Sequence, residues 1–253
     1  MKVSILIPAY NEEDKIAQTI IAAQNTLKSL PYFWEIIVIC DGKEDNTFKV
    51  ASAHKNDQIK ILGYAQNKGK GYALKHGFKF ATGDLIIFFD AGLEFDPVHI
   101  KEILEYYKKY RIPVIIGSKR HPASKVIYPL KRRVLSRSAQ TLVKVLFQMS
   151  VKDSQVGLKL FEREVLSRIF PKVLVKAYAF DIELLALAHH YRYEIMEIPV
   201  DLKMDFSHSS VKFNSINKSL KDTLAIFYRL KILKFYDKPK KIRQKMIEKY
   251  NKS

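Results

Sequence analysis

Two apolar runs in this chain each break off at a cluster of acids. Val3-Ser4-Ile5-Leu6-Ile7 runs into Pro8-Ala9-Tyr10-Asn11-Glu12, and Leu85-Ile86-Ile87-Phe88-Phe89 runs into Asp90-Ala91-Gly92-Leu93-Glu94. A short, mostly apolar run fits a strand covered on both faces, as in a parallel sheet flanked by helices. In such sheets, ligands bind outside the C-terminal ends of the strands. Two acidic strand ends therefore point to a metal-assisted site for a phosphorylated substrate.

The rest of the first half repeats the pattern. Strands are predicted at 3–7, 35–40, 59–63, 84–89 and 113–117, with helices at 14–30, 46–55, 70–81 and 97–110. Asp14, and Asp45 or Asn46, are the expected helix N-caps. Pro31 fits the stop of the first helix and Pro97 the start of the fourth. This alternation predicts an α/β fold with a mostly parallel sheet covered by helices. Beyond residue 118 the expected elements are a basic amphipathic helix at 130–149, strands at 157–161 and 194–202, and helices at 163–170 and 181–190. A second basic amphipathic stretch covers 216–236 and a charged tail covers 240–253.

Charge follows the same division. The net charge is +18, yet residues 119–152 carry nine Lys or Arg and no acid, and residues 203–253 carry fourteen against four acids. The remainder is close to neutral. Concentrated basic segments suit an anionic partner, a membrane surface or nucleic acid. A lysine-rich surface of the thermophile kind is the plainer alternative. In both segments Lys and Arg flank an apolar stripe, and aromatics join the stripe at 216–236, the composition of a helix lying in a membrane interface. No RRM, KH or zinc-finger pattern accompanies the charge, which argues against nucleic acid as the partner.

Other classes fall away on composition and motif. No apolar run reaches the ~20 residues of a membrane span. With Lys2 followed at once by a strand pattern, no secretory signal is expected. The one cysteine, Cys40, cannot form an internal disulfide, fits a reducing compartment, and reads as a small buried hydrophobe rather than a nucleophile. H-E-x-x-H, C-x-x-C and G-x-S-x-G patterns are absent, which removes support for zinc and serine hydrolysis.

Within the α/β frame, individual residues suggest roles. A turn at Tyr10–Glu12 can receive a flat base, with Glu12 accepting from its edge. Asp41-Gly42 ends the second strand, where an acid commonly takes a ribose hydroxyl, although the dipeptide is also a plain turn signal. Asn67-Lys68-Gly69-Lys70-Gly71 offers glycines for close backbone approach and lysines for phosphate, without being a Walker motif. Asp90 and Glu94 can hold a divalent cation against a diphosphate. Asp153, in Asp153-Ser154-Gln155-Val156-Gly157-Leu158-Lys159, can be a base, a substrate anchor or a turn residue. Asp181 and Glu183 open a helix, where acids also serve the dipole.

Taken in order, Pro8–Glu12, Asp41-Gly42, Asn67–Gly71, Asp90-Ala91, Gly117-Ser118-Lys119 and Asp153–Lys159 resemble the inverting glycosyltransferases of family 2, with the GT-A fold. The likeness is closest to polyprenyl-phosphate hexosyltransferases, the dolichyl-phosphate glucose and mannose synthases, and Asp153–Phe161 and Phe180–Leu185 lean toward the glucose enzymes. It covers residues 1 to about 202, so a catalytic domain is expected at 1–202, with 119–152 as its acceptor or membrane segment and basic helices at 203–253.

The resemblance implies that Pro8, Ala9, Tyr10 and Glu12 hold the base, that Asp41 contacts the nucleoside, and that Asp90 and Ala91 contact the sugar nucleotide. It places Lys119 toward phosphate and Arg132 and Ser136 on the acceptor phosphate. Lys70 would help the departing diphosphate, and Asp90 and Glu94 would hold Mg²⁺ or Mn²⁺. The chain departs from the family at Gly92, where the second acid of Asp-x-Asp is usual. The implied reaction moves a hexose, with inversion, from a nucleotide sugar to a polyprenyl phosphate at the cytoplasmic face of a membrane, by a peripheral enzyme. Transfer to a saccharide hydroxyl, with Asp153 as base, is the alternative.

Overall fold

The computed structural model describes residues 1–124, 130–177, 179–202 and 213–250; side chains at 130–137, 213–216 and 249–250 are outside the described set. The chain divides into two compact units, Met1–Ser210 and Val211–Ser253.

The first unit holds one sheet. Its strands are β1 (Lys2–Ala9), β2 (Phe33–Asp41), β3 (Ile59–Tyr64), β4 (Leu85–Phe89), β5 (Val114–Ser118), β6 (Leu158–Glu162) and β7 (Ile195–Pro199). Their spatial order is β3-β2-β1-β4-β6-β5-β7. All pairings are parallel except those of β6, which runs antiparallel to both β4 and β5. The helices between them are α1 (Ile16–Lys28), α2 (Thr47–Ser52), α3 (Lys70–Phe78), α4 (Val98–Tyr110), α5 (Leu130–Phe147), α6 (Arg163–Ile169) and α7 (Phe180–His190). The mostly parallel, helix-covered sheet expected from the sequence is the observed one.

Helical periodicity explains the packing. Ile16, Ile20, Ala23 and Leu27 form the buried stripe of α1, and Ile100, Ile103, Leu104 and Tyr107 that of α4. In α5, Gln140, Val143 and Phe147 are buried while Val145 is exposed, so the described half of this helix turns its stripe inward. Helix α7 is buried over Phe180–Ala188 and presses against a cluster of rings, with Phe88 and Phe161 centred 5.1 Å apart and Phe170 and Phe180 6.2 Å apart. Cys40 is buried, and burial followed by the nearby Asp45 charge pushes its thiol up to about 12, as expected of an inert hydrophobe.

Of the two cap assignments, that of α1 is corrected and that of α2 stands. The N-cap of α1 is Lys15, not Asp14, and no side chain caps it; instead the Glu12 carbonyl accepts from the N–H groups of Lys15 and Ile16. Asn46 is the N-cap of α2 but makes no capping bond. Asp45 does that work, accepting from the Thr47 N–H at 3.0 Å.

The sheet edge away from the strands' C-terminal ends is pinned by one acid. Glu35 is buried and accepts from Ser4 Oγ (2.7 Å), Thr82 N (2.6 Å), Thr82 Oγ1 (2.8 Å) and Lys60 Nζ (2.9 Å).

The second unit contains α8 (Phe213–Phe227), a π-helical turn at Tyr228–Ile232, a 3₁₀ turn at Phe235–Asp237 and α9 (Lys240–Tyr250). The amphipathic stretch expected over 216–236 is helical through Ile232 and ends where Lys234 takes a left-handed conformation. Leu220, Leu224, Tyr228 and Ile232 are exposed, while Thr223, Ile226, Leu230, Phe235 and Tyr236 are buried. Among the described residues, no helix is long and apolar enough to cross a membrane.

Candidate active site

Parallel strands deliver their C-terminal ends to one edge. Strand β1 lies between β2 and β4, so Tyr10–Glu12, Asp41 and Asp90 emerge side by side. Strand β6 runs the other way, with Leu158 opposite Phe89. Its preceding turn, Asp153–Gly157, therefore arrives at that same edge. A Cβ at Gly157 would collide with the Asp90 carboxylate, so the close approach of this turn to Asp90 requires glycine.

Asp41 is committed to the neighbouring loop. Its two oxygens accept from the N–H groups of Lys68 (2.7 Å) and Gly69 (2.8 Å). Gly69 has φ 93°, and its Cβ would strike the Lys176 carbonyl, which accepts from the Gly71 N–H at 2.8 Å. The glycines of Asn67–Gly71 thus serve internal packing instead of offering a backbone cradle to phosphate. What this loop contributes to the site is the side chain of Lys70.

Lys70 Nζ lies 2.7 and 3.1 Å from the two oxygens of Asp90 and 3.8 Å from Asp181 Oδ2. Burial alone would depress the Lys70 pKa, but Asp181 and Asp90 outweigh it and hold the ammonium charged. Asp181 in turn accepts from the buried Lys159 at 2.7 Å, and Lys159 also donates to the Val156 carbonyl. Burial opposes ionisation of Asp181, yet Lys159 and Lys70 keep its pKa below the usual carboxylate range. Asp181 and Lys159 are absent from the sequence-derived site: one reads as a helix-dipole acid, the other as part of a strand. The available signal is a charge inside an otherwise apolar strand, Leu158-Lys159-Leu160-Phe161.

Glu12 and Glu94 both lie close to Gly92. A Cβ on Gly92 would sit 3.5 Å from Glu12 Oε1 and 3.9 Å from Glu94 Cγ, ordinary contact distances. Burial raises the Glu94 pKa, and the Asp90 charge adds to the rise while Lys119 and Lys70 oppose it. Burial also raises that of Glu12, with Lys15 opposing and Glu94 and Asp90 reinforcing. Among the described residues, no three His, Cys, Asp or Glu side chains gather into a group able to hold an ion unaided. Asp90 and Glu94 are carboxylates of the kind that Mg²⁺ or Mn²⁺ can share with a diphosphate, and in this structure both Asp90 oxygens are engaged by Lys70. Such ions take one or two carboxylates from the protein and complete their shell with phosphate and water.

On the far side of Asp90, buried Asp153 accepts from the Lys119 N–H at 3.0 Å, and Lys119 Nζ lies 3.9 Å from the same oxygen. Glu197 on β7 holds this turn by accepting from the N–H groups of Lys152 and Asp153. Buried Gln140 of α5 donates to Ser154 Oγ at 3.1 Å, tying the basic helix to the same turn. Tyr10 is exposed at the opposite side of the site, Pro8 is half-buried, and Ala9 and Ala91 are buried, with the Ala91 carbonyl accepting from Thr19 Oγ1. Arg132 and Ser136 lie outside the described side chains.

Residues 4–170 match the glycosyl transferase family 2 model. The chain belongs to glycosyl transferase family 2. It is a nucleotide-sugar-dependent glycosyltransferase with the GT-A fold. The glycosyltransferase is 31% identical over 253 residues to dolichyl-phosphate beta-glucosyltransferase ALG5C of Trichomonas vaginalis, covering 93% of this chain and 74% of that one. It is 30% identical over 241 residues to the dolichyl-phosphate beta-glucosyltransferase of Dictyostelium discoideum, covering 89% and 74%. Its fold matches glucosyl-3-phosphoglycerate synthase from Mycobacterium tuberculosis, solved with Mn²⁺, UDP and glucosyl-3-phosphoglycerate. The TM-score is 0.68 at 18% identity, covering 90% of this chain and 78% of that one.

Proposed function

We propose that this glycosyltransferase moves glucose from UDP-glucose to a polyprenyl phosphate, inverting the anomeric centre. The observation that carries the reading is the extent of its likeness to the dolichyl-phosphate beta-glucosyltransferases. It spans 93% of the chain and so extends beyond the catalytic sheet into both basic segments.

The site chemistry supports the same reaction. A phosphate acceptor is already ionised near neutral pH, so transfer rests on positioning and electrostatics and needs no strong base. Asp153, the one base the sequence offered, is buried and engaged by the Lys119 N–H, which suits an anchor. Lys119, Arg132 and Ser136 hold the acceptor phosphate for attack opposite the leaving group. Pro8, Ala9, Tyr10, Glu12 and Asp41 bound the nucleoside, with Asp41 acting through the loop it pins. Asp90 and Ala91 position the sugar, and Lys70 meets the charge that builds on the departing UDP. Asp90 and Glu94 would hold Mg²⁺ or Mn²⁺, which neutralises diphosphate charge when bound.

The exposed Leu220, Leu224, Tyr228 and Ile232, interleaved with Lys218, Lys221, Arg229 and Lys231, suit the headgroup layer of an anionic membrane. On this reading the enzyme works at the cytoplasmic surface of the membrane that holds its lipid acceptor, with 1–202 catalytic and 203–253 basic and membrane-facing.

The test is a transfer assay with a polyprenyl phosphate, Mg²⁺ or Mn²⁺, and UDP-glucose or GDP-mannose offered separately. Glucosylated lipid from UDP-glucose alone is the expected product. Product from GDP-mannose alone overturns the donor. UDP binding with no lipid product, but with transfer to a sugar hydroxyl, overturns the acceptor.

A further inference from the structure

We propose that Asp181 and Lys159 are positioning residues for the transfer step, forming a charge ladder behind the site that fixes Lys70 on Asp90. The inference rests on the reading of Lys70 as the group that meets the leaving diphosphate.

The ladder alternates in sign and draws on four elements: Lys159 on β6, Asp181 on α7, Lys70 on α3, and Asp90 at the end of β4. Its spacings are 2.7 Å from Lys159 to Asp181, 3.8 Å from Asp181 to Lys70, and 2.7 Å from Lys70 to Asp90. Lys159 is 1% exposed and stands among Leu158, Leu160 and Phe161, all buried. A buried ion pair is seldom more stabilising than the apolar pair that could replace it. Stability alone therefore gives weak grounds for a lysine here.

Helix capping does not account for Asp181 either. The N-cap of α7 is Ala179, which makes no side-chain cap, and the Asp181 oxygens face the two lysines. The neighbouring acid has a different duty. Glu183 accepts from the N–H groups of Leu174 and Val175 and pins that loop.

Asp181 supplies Lys70 with a second fixed anchor. A lysine side chain on a flexible stem otherwise has to be ordered as the donor binds. Held between two carboxylates, its ammonium is already aimed when charge develops, the arrangement from which electrostatic catalysis gains most. Lys159 keeps Asp181 in place. Its bond to the Val156 carbonyl ties the ladder to the turn that carries Gly157 against Asp90.

The test uses the full chain and the double variant Lys159→Met/Asp181→Asn, which removes one charge of each sign and leaves no lone buried ion. Glucose transfer, UDP affinity by calorimetry and melting temperature are measured for it, for Lys70→Met, and for the triple variant. The expected result is a fall in kcat on the order of 10- to 100-fold, the scale of a small misplacement, with UDP affinity nearly unchanged. In the Lys70→Met background the same pair should cost nothing further, because it acts through Lys70. A double variant with parental kcat, or a loss that multiplies with that of Lys70→Met, overturns the proposal. If Lys70→Met itself leaves both kcat and UDP affinity at parental values, the role of Lys70 in the proposed function falls instead. Should the double variant not fold, Lys159→Arg keeps the charge but alters the reach. A drop in its kcat without a change in melting temperature supports the ladder, and an unchanged kcat counts against it.

Discussion

Gly92 decides more about the donor site than its size suggests. The resemblance places a second acid at this position, and a Cβ there would meet Glu12 and Glu94 only at ordinary contact distances. Gly92→Asp should therefore be accommodated and should raise Mn²⁺ affinity in the presence of UDP by roughly tenfold or more, as expected when a hard oxygen ligand is added. Calorimetric titration of Mn²⁺ into the UDP-bound protein, wild type against variant, measures this directly. Gly157→Ala should act in the opposite sense by driving Asp90 from its place, costing about 1–3 kcal/mol of stability as an overpacking change and weakening UDP-glucose binding. Glu35 supplies a pH signature of the fold. Burial would raise its pKa, but bonds from Ser4, Thr82 and Lys60 prevail and lower it to about 2. Its folded value thus lies below the unfolded value of about 4.5, so the stability it contributes is present above that pH and is lost as pH falls toward 2. Melting temperatures across that acid range should fall steeply for the wild type, and more gently from a lower starting value for Glu35→Gln. The sequence flags Gly92 through the resemblance, but neither the Gly157 contact nor the Glu35 bonding is readable from residue type. Each depends on which atoms of distant segments meet at that position.

Element by element, the sequence reading and the structure agree where hydrophobic period sets the answer. The strands expected at 3–7, 59–63 and 84–89 are β1, β3 and β4 with margins shifted by one or two residues, and α4 and α7 fall where expected. Helix ends agree less well, because backbone carbonyls such as that of Glu12 can replace a capping side chain. In the stretch 216–236 the apolar spacing is real, and a left-handed Lys234 ends the helix after a π-helical turn. The four-residue step from Leu220 through Leu224 and Tyr228 to Ile232 leaves those side chains exposed together. Leu224→Glu/Tyr228→Glu should reduce binding to vesicles rich in anionic lipid by at least roughly tenfold, since each change removes apolar contact and adds repulsion. Vesicle co-sedimentation checks it. Unchanged binding would remove this stripe from the proposed membrane face.

For the whole molecule, a net charge of +18 makes any anionic membrane contact salt-sensitive. Vesicle binding should weaken steeply as salt rises, whereas UDP binding at the strand-end site should change much less. Titrating both against NaCl separates the two. The sequence by itself determined the α/β class, the order of strands and helices, the acidic strand ends and the two basic segments. All of these follow from local period, turn chemistry and charge, which neighbouring residues carry along the chain. Only the tertiary structure decided that β6 runs against its neighbours and so brings Asp153–Gly157 beside Asp90. It alone turned Asp41 toward the Lys68–Gly69 backbone and set Lys159 and Asp181 behind Lys70. Those facts arise from strand direction and from contacts between residues far apart in sequence, and no local pattern of residue types encodes either.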